Sequence, residues 1–213
     1  FSYFNFMFKI ALQTLARGSG LGNEFTIRAI ADSSRSALGG DTTGSNNTAL
    51  GADASRYNTL ASSSVAVGAL AAYGNGGNYT ATGYTVLGVG AGFSMATSSD
   101  FNTLIGYGAG NLLTTGRGNI ILGAASTTSY SNRTTGNDNI LIGTNMSLPS
   151  ATANNQLDIG NLIWGSALNG SSTMYSTGQV GIGSSTPWAR LSVQANNGDT
   201  NNTLFAIASS TAS

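Results

Sequence analysis

The 213-residue chain has no cysteine and no histidine, only two prolines, and eight acidic against eight basic side chains. Without cysteine there are no disulfides, no thiolate nucleophile and no sulfur ligands for zinc. Without histidine there is no Ser-His-Asp triad and no imidazole ligand. A charged fraction of 8% leaves no basic face for nucleic acid or an anionic membrane. The longest apolar run, Phe1 to Leu15, is too short to cross a bilayer and is broken by Asn5, Lys9 and Gln13. Lys9 also lies in mid-run, whereas a secretory signal carries its positive charge first. No cofactor, no nucleic acid partner and no membrane insertion of this segment is therefore expected.

Glycine, serine, threonine and asparagine are plentiful. Low charge with such a composition suits a linker, but linkers lack the evenly placed Ile, Leu and Val found here. Those aliphatics belong to a repeat whose clearest copy is Asn102-Thr103-Leu104-Ile105-Gly106. The final glycine recurs at Gly51, Gly68, Gly88, Gly106, Gly123, Gly143, Gly160 and Gly183, in steps of 17, 20, 18, 17, 20, 17 and 23 residues. A period of this size predicts stacked coils, each too small to bury a core alone and each resting on the next. The fold class expected is all-β, a β-solenoid (β-roll or β-helix) with coils of about 17–20 residues and extended terminal strands.

A Thr-Gly pair precedes several copies, ending at Gly44, Gly83, Gly116, Gly136 and Gly178, and is read as a tight corner using positive φ. Its distance to the motif glycine is 7, 5, 7, 7 and 5 residues, differences of two that preserve strand parity. The residue before the motif glycine is always aliphatic and is expected to fill the coil's own core. The residue two before it then points the other way, and Val86, Leu104, Ile121 and Leu141 are expected to form an apolar stripe buried between copies. Three residues after the glycine, Ala54, Ala71, Ala91, Ala109 and Ser126 are small, which lets a coil close tightly.

The Asn-Thr-Ala-Leu-Gly-x-x-Ala and Ser-Val-Ala-Val-Gly-x-x-Ala units between Asn47 and Gly143 resemble the head repeats of trimeric autotransporter adhesins and related phage tail fibres. The resemblance implies a left-handed β-roll with three chains about one axis, hence a homotrimer. The stretch from Gly178 to Val193 also looks like a segment common in tail-fibre and large bacterial surface proteins.

Before the repeats, Phe4, Phe6, Phe8, Ile10 and Leu12 alternate with other residues and predict a strand; a helix through Phe4, Phe8, Leu12 and Leu15 is the alternative. The strand reading makes this a linking strand covered by a neighbouring subunit, or a cap on its own first coil. Phe25 to Ala31 predicts a further strand, and Arg28 to Ser34 is echoed by Phe205 to Thr211. The organisation expected is 1–40 linking or capping strands, 41–183 solenoid, and 184–213 a connecting segment and strand.

Little chemistry is legible. Gly88-Val89-Gly90-Ala91-Gly92 and Gly106-Tyr107-Gly108-Ala109-Gly110 have neither a following helical pattern nor a P-loop lysine, so they read as structural turns. Gly74-Asn75-Gly76-Gly77-Asn78 lacks the aspartate of calcium-binding turns. Tyr73, Tyr79, Tyr84, Tyr107, Trp164 and Trp188 serve either as packing or as platforms for a glycan. Acceptor patterns for N-glycosylation begin at Asn46, Asn78, Asn132, Asn145, Asn169 and Asn201. The function expected is a non-enzymatic structural subunit of an extracellular fibre or cell-surface filament whose main partner is itself. The alternatives are an adhesin or tail-fibre head binding a surface glycan or protein receptor and, third, a polysaccharide-cleaving solenoid.

Overall fold

The computed structural model of the chain describes residues 27–28, 37–75, 77–124, 135–168, 176–195 and 203–205. The described elements are all strands: β1 (Ile27–Arg28), β2 (Thr48–Leu50), β3 (Val65–Val67), β4 (Thr85–Leu87), β5 (Thr103–Ile105), β6 (Ile120–Leu122), β7 (Ile140–Ile142), β8 (Leu157–Ile159), β9 (Ile163–Ser166), β10 (Gln179–Ile182) and β11 (Leu191–Val193). They form one sheet in sequence order. From β1 to β8 every pairing is parallel and in register, so each motif sits on the next. The chain is thus a β-solenoid. β9 then turns back antiparallel to β8, β10 is antiparallel to β9, and β11 is parallel to β10. This reversal closes the coil stack with a C-terminal cap.

β2 to β8 are each only three residues long because the motif glycine ends them. Gly51, Gly68, Gly88, Gly106, Gly123 and Gly143 have φ between 128° and 145°, a region open chiefly to glycine. They also stack: a Cβ on Gly106 would collide with the carbonyl of Gly123, and one on Gly68 with the carbonyl of Gly88. The ladder therefore continues through the glycines, with Gly88 N–H donating to Val67 O and Gly106 N–H to Leu87 O, both at 2.8 Å. The Thr-Gly corners obey a different constraint. Of their five glycines only Gly83 has positive φ, while Gly44 and Gly136 lie against the carbonyls of Ala61 and Ala153, where a side chain has no space. Small size rather than handedness selects them.

The core lies inside the coils. Its axis-long column is the central residue of each strand: Ala49, Ala66, Val86, Leu104, Ile121 and Leu141, all buried. Ala54, Ala71, Ala91 and Ala109 face this column and are fully buried, as their size led one to expect. Tyr79, Tyr84, Met95 and Leu113 are buried in the coils between Gly68 and Gly123. Burial raises the phenol of Tyr79 well above its ordinary range and that of Tyr84 less so. Tyr79 donates to Ala72 O at 2.6 Å, and the Tyr84 hydroxyl meets Ser55 Oγ at 2.6 Å.

A second buried column is polar and immediately precedes each of β2 to β8: Asn47, Ser64, Tyr84, Asn102, Asn119, Asn139 and Gln156. Here each amide side chain joins coils. Asn119 N–H donates to Asn102 Oδ1 (2.9 Å), Asn139 N–H to Asn119 Oδ1 (3.0 Å) and Gln156 N–H to Asn139 Oδ1 (2.9 Å). The same amides donate to corner carbonyls: Asn102 Nδ2 to Gly116 O (2.8 Å), Asn119 Nδ2 to Gly136 O (3.1 Å) and Asn139 Nδ2 to Ala153 O (3.2 Å). Ser64 is shorter than an amide, and at Ala81 the corner is met instead by Asn58, whose Nδ2 donates to Ala81 O (2.7 Å). A coil this narrow cannot exclude its own backbone from the core, so a buried amide that both donates and accepts is what satisfies it.

Candidate functional site

The placement of Val86, Leu104, Ile121 and Leu141 corrects the sequence reading. They do not face another copy, because they are the chain's own core. Leu104 is 0% exposed while the next residue, Ile105, is 38% exposed. The expected alternation is present but its phase is inverted: the residue before the motif glycine points outward. The central position holds Ala49 and Ala66 in the first coils and Val86, Leu104, Ile121 and Leu141 in later ones, all buried, whereas the outward position is bulky in every copy and partly or fully exposed. The buried asparagines carry the same information, since Asn47 and Ala49, or Asn102 and Leu104, share a face by period two.

With the phase corrected, the surface that stands out is the outer side of the sheet. The strand ends towards the glycines line up as Leu50, Val67, Leu87, Ile105, Leu122, Ile142, Ile159, Ile163, Ile182 and Val193, an aliphatic residue on each of β2 to β11. A companion column beside it begins with Thr48, Val65, Thr85 and Thr103 and continues through Ile120, Ile140 and Leu157 to Gly165, Val180 and Leu191. Neither column contains a charge, and every described side chain in the aliphatic column is partly or fully exposed. At about 4.8 Å per strand the face runs roughly 43 Å along the sheet. The inner column changes character at the C-terminal end, to Asp158, Trp164, Gly181 and Ser192, yet the outer one stays aliphatic through the reversal of strand direction.

The aromatic residues separate into three groups. Tyr79 and Tyr84 are core. Tyr73 belongs to a half-buried column on the coil exterior, edge-on to Tyr57 (centroids 5.0 Å, 72°) and stacked on Phe93 (5.1 Å, 13°), with Arg56 over the Tyr57 ring at 5.3 Å. These rings spend faces on one another, and Arg56 is held by Asp53 at 2.7 Å. Tyr107 and Trp188, at 55% and 83% exposure, are open to solvent, and Trp164 is half-buried.

Of the glycosylation patterns, Asn46, Asn78 and Asn145 are exposed; Asn46 and Asn145 sit at left-handed corners with φ of 58° and 55°. Asn132, Asn169 and Asn201 lie outside the described residues, as do Phe4, Phe6, Phe8, Ile10 and Leu12. Among the described residues no cluster of acidic side chains is arranged to hold a metal ion, and no helix is long and apolar enough to cross a membrane. Compared with family models, curated proteins and solved structures, the chain finds no match in any of the three.

Proposed function

We propose that the chain is a structural subunit of an extracellular fibre or cell-surface filament, associating side by side through the outer sheet face and end to end through its termini. The observation that carries this reading is the uninterrupted aliphatic column on β2 to β11. A solvated face of an antiparallel or solenoid sheet ordinarily turns polar, and an uncharged apolar stripe of this length approaches the largest patch a soluble monomer carries, on the order of 300–600 Å². Two columns over ten strands offer nineteen at least partly exposed residues, Gly165 being buried, close to the roughly 20–30 a side that a stable interface uses. Three copies about a common axis is the arrangement implied by the resemblance of residues 47–143 to autotransporter head repeats. The same resemblance, with the cysteine-free composition, supports a place outside the cell. A second reading, a receptor-binding head, is favoured by the exposure of Tyr107 and Trp188. Sedimentation of the purified chain and negative-stain images test the choice. A concentration-dependent trimer forming regular filaments is expected, discrete spikes that bind a glycan array through Tyr107 or Trp188 favour the head, and a monomer at all concentrations rejects lateral assembly.

A further inference from the structure

Asp158 is the one carboxylate in the column of buried strand centres, next to Leu141 of β7 in the parallel register and to Trp164 of β9 in the antiparallel register. It is fully buried. Its Oδ1 accepts the Asn161 N–H at 3.0 Å, and its Oδ2 is buried without a hydrogen-bond partner. β7, β9, β10 and β11 carry no Asp, Glu, Lys or Arg, nor do the connecting residues 143–156, 160–162 and 183–189. The nearest cation by sequence on the cap, Arg190, is exposed and donates to Ser176 O at 2.9 Å. An ionised Asp158 therefore has one N–H to stabilise it, where a buried carboxylate needs several or a cation. Among the described residues it also occupies the one junction at which the stack of parallel coils gives way to the antiparallel cap.

We propose that Asp158 is an acid-sensitive latch between the coil stack and its C-terminal cap, which is held closed when the carboxyl is neutral and loosened when it ionises. The inference concerns a single chain and stands apart from the fibre reading. Burial raises the Asp158 carboxyl above its ordinary value, with the Asn161 N–H opposing part of the effect. Since the closed cap holds the proton over a range of pH in which the opened cap releases it, closure is strongest below the ordinary Asp value of about 3.9. It weakens as pH rises from there through the raised value, and above that value it is constant at the weaker level. Opening separates β9 from β8 and admits water to the carboxylate, while β2 to β6 hold no such group in their inner column.

Hydrogen exchange, corrected for intrinsic rates, tests this at pH 4 and pH 7. The amides of Leu162 and Leu168, which donate across the β8–β9 junction to Ile159 O and Asn155 O, are expected to lose protection by about threefold or more at the higher pH. Those of Gly88 and Gly106 in the stack are expected to stay unchanged. Asp158→Asn and Asp158→Leu should abolish the difference. The proposal is overturned if cap and stack respond alike, or if the loss of protection persists in either variant. Should neither variant fold, carbon-13 titration of the wild-type Asp158 carboxyl decides: a midpoint above the ordinary value supports the latch, and one at or below it rejects it.

Discussion

At the scale of single residues the solenoid rests on side chains whose donors and acceptors match the backbone between coils. Asn119 accepts from Asn139 N–H and donates to Gly136 O and Asn102 Oδ1, all inside a coil where water does not replace a lost partner. Replacing it by leucine keeps much of the volume but orphans the Asn139 N–H and the Gly136 carbonyl, at a cost of ~1–3 kcal/mol each. Asn119→Leu is therefore expected to lower the urea midpoint sharply, and Asn119→Asp at neutral pH at least as much, because its carboxylate keeps the acceptor but faces Gly136 O and Asn102 Oδ1 with no cation beside it. Equal stability of wild type and the leucine variant would show that the polar column is dispensable. In the sequence these asparagines are visible as part of the repeat, but a polar residue just before a short strand reads as a surface or turn position. Only its recurrence on the parity of Leu104 and Ile121 marks it as core.

At the scale of one strand, the repeat period, the register and the coil length of 17 to 20 residues are legible because glycines punctuate the chain so evenly. Which face turns inward is not, because β4 to β7 are apolar on both sides and hydrophobicity alone cannot orient them. The structure supplies a paired test on β6. Ile121 is core, so Ile121→Asp buries an unpaired charge, costs roughly 3–5 kcal/mol and unfolds the coil. Leu122 is outward and half-exposed, so Leu122→Asp should leave circular dichroism and the melting midpoint nearly unchanged while lowering the mass seen by light scattering. If instead Leu122→Asp melts early and Ile121→Asp folds normally, the orientation of the sheet is reversed. If both variants fold with unchanged mass, the outer face is not where copies meet.

At the scale of the whole molecule the two ends of the described sheet differ, and under the proposed end-to-end association that difference would give the fibre a direction. The N-terminal end of the sheet begins with the parallel strand β1, which continues the coil stack. The C-terminal end is reversed by β9 and β10 and finishes in β11, paired on one side only among the described residues, with Leu191 at its start and Trp188 just before it both exposed. A strand edge beside exposed apolar side chains accepts an added strand, since its free N–H and C=O groups supply the bonds and its neighbours supply the pockets. The alternating row Phe4, Phe6, Phe8, Ile10 and Leu12 has the pattern such a donor needs. Deleting residues 1–16 is accordingly expected to stop growth along the fibre while leaving a folded, β-rich subunit that still associates sideways. Images would then show short particles of unchanged width in place of filaments. Filaments of normal length from the truncated chain would remove the linking role and leave the segment as a cap on its own first coil, a part that a solenoid also requires.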